Sequence, residues 1–137
     1  MEDEIAVQKA LGTYSPTALR DAVVLPYSNP PNYGGSVMYF DKMPVEKLQQ
    51  LIDAKLVRES CHQNDGPTTR TILQFADAHP GMLVGGYVKK FTPSELVVTT
   101  ILYDFEVDDI ELLKDFVEVA HEADIFEFRK RLYAWWD

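Results

Sequence analysis

Three histidines and one cysteine are the side chains best suited to chemistry in this sequence. His62, His79 and His121 are the candidates for general acid–base work, because histidine is the side chain most often used for proton transfer near neutral pH. Cys61 adjoins His62, but neighbours in sequence seldom reach the geometry of a nucleophile and its base. Cys61, His62 and Asp65 together provide only one group of possible metal ligands, whereas zinc sites usually need two ligand pairs at defined spacing. We therefore predict no catalytic residue, no metal and no cofactor. We interpret His79, at the end of a helix, as a structural residue near the last-turn carbonyls.

Motifs of the large nucleotide-binding and hydrolase families are absent from the sequence. Gly34-Gly35 and Gly85-Gly86 are isolated pairs, and neither belongs to a phosphate-binding loop or a dinucleotide-binding fingerprint. No GxSxG nucleophile elbow is present either. The sequence favours a non-enzymatic protein, although it leaves an enzyme open.

Arg129 stands among aromatic residues near the end of the chain. The segment Ile125–Trp136 places most of its apolar side chains on one arc of a predicted helix. Arg129 falls inside that arc, between Tyr133 and Trp136. A guanidinium there either pairs with a buried acid such as Asp104 or forms an anion pocket on the last helix.

Two tyrosines lie in a loop rich in proline, glycine and asparagine, from Tyr27 to Gly35. Tyr27 and Tyr33 either cover the edge of the core or line a groove for a peptide or a small molecule. Together with Arg129 they define a candidate small-ligand pocket.

The chain closes on Trp135-Trp136-Asp137. Tryptophan is enriched at binding hot spots, and chain ends are usually frayed unless they are docked. Trp135 and Trp136 therefore either pack on the sheet or form a patch for a protein partner or a second copy.

A hairpin from Met82 to Phe105 organises the predicted fold. Its second strand, Glu95–Phe105, is dense in β-branched and aromatic residues, as is typical of a strand buried on both faces. Gly85-Gly86 in the first strand indicates a bulge or a neighbouring backbone at close approach. A shorter strand is predicted at 36–41.

Helices are predicted before, between and after these strands, at 2–11, 18–24, 45–56, 67–78 and from about 110 to 120. Ser15 is the predicted N-cap of the second, Asn64 or Asp65 of the fourth, and Asp108 or Asp109 of the fifth. The result is an α+β class with a small, mainly antiparallel sheet of about three strands, the 82–105 hairpin central. We expect helices over both faces of the sheet and one domain spanning 1–137.

Composition limits the classes of partner. Thirteen basic and 22 acidic residues give a formal net charge of −9, which repels nucleic acid and anionic lipid and favours basic partners. No stretch approaches the roughly 20 apolar residues of a membrane span. The single cysteine and the acidic start of the chain fit a cytoplasmic protein.

The succession of a helix at 45–56, a helix at 67–78 and a hairpin at 82–105 resembles the winged helix-turn-helix. The resemblance covers about half of the chain and implies DNA binding by the second of these helices. That helix offers only Arg70 to bases or phosphates, alongside Asp77, and the strand 95–105 is more apolar than a wing needs.

Three functions therefore stay open. The sequence favours a non-enzymatic protein-binding or regulatory module, with a protein partner or a homodimer. The alternatives are a winged-helix-like DNA-binding regulator and a small-ligand-binding protein or enzyme with a pocket near Tyr27, Tyr33 and Arg129.

Overall fold

The structure is a computed structural model, and it describes residues 2–11, 15–128 and 130–137. The elements are α1 (Glu2–Ala10), α2 (Pro16–Val24), a 3₁₀ turn (Leu25–Tyr27), β1 (Val37–Pro44), α3 (Val45–Asp53), α4 (Thr69–Ala78), β2 (Leu83–Lys89), β3 (Leu96–Tyr103), α5 (Ile110–Val119), β4 (Ile125–Glu127) and β5 (Leu132–Trp135). The α+β class is confirmed, and β3 is the central strand. The sheet has five strands among these residues, where the sequence predicted about three.

Helix starts follow the capping residues. The Ser15 hydroxyl accepts a hydrogen bond from the Ala18 N–H at 3.2 Å, with Pro16 in the first helical position, as predicted. The Asp109 carboxylate caps α5 in the same way. The predicted cap of α4 is wrong: Thr68, rather than Asn64 or Asp65, accepts the Thr71 N–H.

The sheet is antiparallel throughout, in the order β1-β2-β3-β5-β4. Its register shifts between Gly85 and Gly86, which pair with Thr100 and Val98 and leave Thr99 as the extra residue of a bulge. The carbonyl of Thr99 accepts the main-chain N–H of Trp136 at 2.8 Å. The bulge predicted from the glycine pair is therefore confirmed, and it joins the end of the chain to β3.

The prediction of a helix over Ile125–Trp136 is wrong, because this segment forms β4 and β5. Burial alternates from Leu132 to Trp136, with Leu132, Ala134 and Trp136 buried and the residues between them half-buried. That period of two is the pattern of a strand with one face in the core. β3 would otherwise leave a row of unpaired main-chain groups at its edge, and β5 satisfies them.

Side chains from the two faces of the sheet meet different surroundings. The cross-strand rows on the first face, here called the core face, include Met38–Val88–Leu96, Phe40–Gly86–Val98 and Val84–Ile101–Ala134–Phe126. The buried apolar side chains of α2, α3, α4 and α5 all join the cluster that these rows build. These four helices therefore pack on one face, and for them the expectation that helices cover both faces is wrong.

Among the residues that the structure describes, none of the helices combines the length and the apolar character that crossing a membrane requires.

Candidate functional site

The second face of the sheet, here called the open face, carries an aromatic platform. Its rows are Tyr39–Tyr87–Val97, Gly85–Thr100–Trp135–Ile125 and Leu83–Leu102–Tyr133–Glu127. In the centre, Val97 and Leu102 are buried, yet they lie outside the cluster that the helices share with the core face. Around them Tyr87, Tyr133 and Trp135 are half-buried, which leaves large aromatic side chains at the surface without a helix over them.

Tyr39 and Tyr87 form the aromatic pair at one end of the open face. Tyr39 on the edge strand β1 is 62% exposed, and its ring meets Tyr87 edge-on at a centroid distance of 6.0 Å. The Tyr87 hydroxyl donates to Oε1 of Gln63 at 2.7 Å. Partial burial is the largest cause that raises the pKa of Tyr87 above its ordinary value, so this phenol stays neutral at physiological pH.

Tyr133 marks the other end, where it is stacked with a cation. The guanidinium carbon of Arg131 lies 4.9 Å from the centre of the Tyr133 ring, within the range of a cation–π contact. The same guanidinium donates to both carboxylate oxygens of Glu127, at 3.3 and 3.4 Å. The open face therefore already holds one guanidinium between an aromatic ring and a carboxylate.

The two tryptophans have different positions. Trp136 is 1% exposed and packs in the core, where its ring lies next to Gly66. Trp135 is half-buried and stands on the open face between Thr100 and Ile125. The sequence left two alternatives for these tryptophans, packing on the sheet or forming a surface patch. Trp136 packs on the sheet, while Trp135 contributes to a surface patch.

Tyr33 belongs to a partly buried polar cluster around the buried Arg20. Its hydroxyl donates to Oδ2 of Asp21 at 2.8 Å and accepts from the Arg20 guanidinium at 3.0 Å. Burial, followed by the hydrogen bond to Asp21, raises the pKa of Tyr33. Tyr27, in the 3₁₀ turn, packs against the core. Arg129, the third residue of the predicted pocket, lies outside the described residues.

Arg20 is a buried, extensively hydrogen-bonded residue that was not among the candidates selected from the sequence. Its side chain is 0% exposed, and it donates to Asp21, to Tyr33 and to main-chain carbonyls at both ends of the loop between β2 and β3. The signal in the sequence is an arginine beside Leu19 on the inward side of α2. Since its donors are taken up by the protein itself, this arginine joins α2 to the hairpin.

His79 pairs with an acid from the neighbouring helix. Its Nε2 lies 2.7 Å from Oδ2 of Asp115 on α5, and its ring packs against Phe75. The predicted contact with last-turn carbonyls is wrong, because the imidazole points across to α5. Two surface grooves of about 270 and 360 Å³ flank it. This pair links α4 to α5 near the hydroxyl of Tyr103, which donates to the His79 carbonyl oxygen.

The other candidates for chemistry are dispersed. Cys61 is buried, and His62 and His121 are exposed and bonded to the nearby carbonyl oxygens of Asn64 and Glu118. Within 2–11, 15–128 and 130–137, no three histidine, cysteine, aspartate or glutamate side chains are grouped so that they could hold a metal ion.

Replacing Tyr103 with Phe should lower the free energy of unfolding by about 1 kcal/mol at pH 8, because the bond to the His79 carbonyl is lost. Burial raises the pKa of Tyr103 well above its ordinary value of about 10. The unfolded phenol ionises near pH 10 while the folded one stays protonated, so the wild type loses stability as pH rises past 10.

The stability difference between wild type and Tyr103→Phe should therefore shrink from pH 8 to pH 11, as measured by urea denaturation. Tyr39→Phe, at an exposed position, serves as the control. A difference that stays constant over this range would contradict the assigned role of the buried phenol.

Comparison of the chain with protein-family models, with curated proteins and with solved structures finds no match.

Proposed function

We propose that the protein is a non-enzymatic binding module whose open face docks a partner protein rich in exposed arginine and lysine. The observation that carries this proposal is the aromatic platform of Tyr39, Tyr87, Tyr133 and Trp135 on a sheet face without helix cover. Tyrosine and tryptophan are enriched in protein interfaces because they bury much area at a low entropic cost. Contiguous exposed apolar surface marks interaction sites.

Charge supports a basic partner. The chain carries a formal charge of −9, so it attracts a basic surface at long range and repels a second copy of itself and the phosphates of nucleic acid. Two cations that the described residues place on the open face are paired: Arg131 with Glu127, and Lys89 with Glu95 at 3.1 Å. Neither is available to bind a partner's anions without breaking a pair.

The two alternatives have less support. For DNA binding, α4 offers Arg70, and that guanidinium is paired with Glu59. For a small-ligand pocket, the Tyr33 hydroxyl is engaged by Arg20 and Asp21. The Arg70 guanidinium and the Tyr33 hydroxyl are therefore both engaged within the chain, whereas the aromatic platform is open.

Photocrosslinking tests the proposal. Benzoyl-phenylalanine placed at Tyr39 should give a covalent adduct with a basic protein in cells that express the chain, and the yield should fall as salt is added to a lysate. The same group at Gln50, exposed on the helical side, should give no such adduct. Adducts of equal yield at both positions, or an adduct only with a second copy of the chain, would contradict the proposal.

The captured protein must then bind in purified form. Its dissociation constant should rise at least about tenfold for Tyr39→Ala, the size expected for an exposed interface aromatic that acts as an anchor. Phe91→Ala is the matched control, because Phe91 is also a large exposed aromatic but lies at the tip of the β2–β3 hairpin. Equal losses of affinity for the two variants would contradict the assignment of the open face as the binding interface.

A further inference from the structure

A basic groove lies between the end of α3, the start of α4 and the loop that joins β2 to β3. Its volume is about 510 Å³, and three of the eight residues that line it are cationic: Lys55, Arg58 and Arg70. Glu59 is the one acid among these eight described residues. The groove therefore carries a formal charge of +2, on a chain whose formal charge is −9.

Main-chain hydrogen bonds hold the walls of the groove together. The N–H of Arg58 donates to the carbonyl oxygen of Ser94 at 2.9 Å, and the N–H of Arg70 donates to that of Glu59 at 2.9 Å. The hydroxyls of Ser60 and Ser94 have no hydrogen-bond partner within 2–11, 15–128 and 130–137. The groove thus combines a fixed backbone with unused hydroxyl donors.

The cations of the groove also have unused donors. Lys55 and Arg58 are exposed, and neither forms an ion pair with another residue that the structure describes. Arg70 donates to the Glu59 carboxylate through Nη2, which leaves Nη1 and Nε without an acceptor in the described part of the chain. An anion in the groove would therefore meet free donors without breaking an existing pair.

Lys55 occupies a position that usually belongs to glycine. Its φ is 59°, in the left-handed region that side chains with a Cβ rarely adopt. Its N–H donates to the Ile52 carbonyl at 3.0 Å, and the Leu56 N–H donates to the Leu51 carbonyl at 2.9 Å. This pair of bonds ends many helices, with glycine in the place of Lys55. Strain of this kind clusters at functional sites, so the ammonium group gives the strained residue a reason.

The donors of the groove suit a phosphate group. A phosphate monoester carries nearly two negative charges at neutral pH and has three strong acceptor oxygens, which match several cations and hydroxyls better than a carboxylate does. The half-buried Ile52 adds an apolar wall for the rest of a ligand. The volume falls within the range of about 300–1,000 Å³ that is typical of small-molecule sites. At physiological salt, charges more than about 8 Å away are largely screened, so the cations of the groove outweigh the acidic surface.

We infer that this groove binds a small organic phosphate, whose phosphate group is held by Lys55, Arg58 and Arg70 with the hydroxyls of Ser60 and Ser94. None of these residues belongs to the aromatic platform, so the inference holds whether or not the open face docks a partner.

Amide chemical shifts of the full-length ¹⁵N-labelled protein test the inference, with phenyl phosphate at pH 7.5 as the probe. Saturable shifts should concentrate at 55–60, 70 and 94. Arg58→Gln should weaken binding about three- to fivefold, as expected for one exposed charge contact. Lys114→Gln removes the same charge from α5, outside the groove, and should leave the affinity unchanged. Shifts without saturation, or equal effects of the two variants, would overturn the site.

Control ligands identify the chemistry. Phenyl sulfate has nearly the same shape with one negative charge, so it should bind more weakly, and equal affinity would overturn the assignment to a phosphate dianion. Inorganic phosphate lacks the apolar part and should also bind more weakly than phenyl phosphate. Equal affinity for inorganic phosphate would identify an adventitious ion only and overturn the organic ligand.

Lys55→Gly separates binding from a role at the helix end, where a lysine can also complement the dipole of α3. Glycine removes both the ammonium group and the strain. The variant should unfold at the same or a higher urea concentration than the wild type, while its affinity for phenyl phosphate falls about three- to fivefold. An unchanged affinity would overturn the role of Lys55 in the site, whatever the change in stability.

Discussion

Replacing Arg20 with Met is expected to lower the free energy of unfolding by about 3–5 kcal/mol, the range seen when one partner of a buried polar network is removed. The side chain is 0% exposed, and methionine occupies a similar volume without any hydrogen-bond donor. The loss therefore comes from the groups left behind rather than from a cavity.

Those groups are numerous. The guanidinium donates at 2.9 to 3.0 Å to the carbonyl oxygens of Lys89, Thr92, Pro93 and Glu95, to Oδ1 of Asp21 and to the hydroxyl of Tyr33. Without it, these four partly buried carbonyl oxygens lose their donor and the Asp21 carboxylate loses its countercharge. Arg20→Lys should recover only part of the loss, because an ammonium group has three donors and lacks the planar fork.

Urea denaturation monitored by circular dichroism measures the effect, and hydrogen exchange in the β2–β3 loop shows where it acts. Arg70→Met is the control: this arginine is exposed, its ion pair with Glu59 lies in solvent, and such pairs contribute little. If Arg20→Met does not fold, Arg20→Lys supplies the measurement. A loss below about 1 kcal/mol for Arg20→Met would show that water replaces the guanidinium and that the network is not structural.

The sequence analysis did not select Arg20, the buried arginine that the structure describes. It selected Arg129 because aromatic residues surround it in sequence, whereas Arg20 has the plain sequence context of α2. The acceptors of Arg20 come mostly from a loop about 70 residues away. They are main-chain carbonyls, which every residue carries, so the residue types of the loop do not identify them. Such a site depends on tertiary structure alone.

Local signals were sufficient for most of the fold. Ser15-Pro16 started a helix as predicted, and the strand predicted from the apolar run 95–105 became β3 at the centre of the sheet. The segment Ile125–Trp136 was misassigned because its aromatic residues suit a helix arc and a strand equally well. The segment forms a strand because it pairs with the free edge of β3. That edge exists only once the sheet has formed, so the sequence pattern does not reveal it.

The open face was only partly foreseeable. Trp135 was a candidate binding residue, but its neighbours on the face come from distant strands: Tyr39 from β1 and Tyr87 from β2. Their alignment follows from the register, which the bulge at Gly85 and Gly86 sets. Without that register, alternation within each strand does not reveal that the aromatic residues share one face.

Gly86→Ala is the second substitution with a large expected effect. We expect its free energy of unfolding to fall by more than about 3 kcal/mol, or the variant to fail to fold. A Cβ at this position would lie 1.9 Å from the carbonyl oxygen of Val97 and 3.1 Å from Cα of Val98. Both atoms belong to the backbone of the central strand, so no side-chain rotation relieves the contact. Overpacking against side chains typically costs about 1–3 kcal/mol, and a clash with fixed backbone should exceed that range.

Gly34→Ala is the matched control, because a Cβ there meets no atom within 4 Å and the backbone does not have a positive φ. That variant should change stability by less than about 1 kcal/mol, toward higher stability, since alanine restricts the unfolded chain. Urea denaturation compares the two, and amide exchange along 83–103 reports whether the β2–β3 pairing survives. A stable Gly86→Ala protein with protected amides would mean that the bulge can relax by more than an ångström. The register would then not be fixed at this glycine, and neither would the alignment of Tyr39, Tyr87 and Trp135 that the proposed binding function requires.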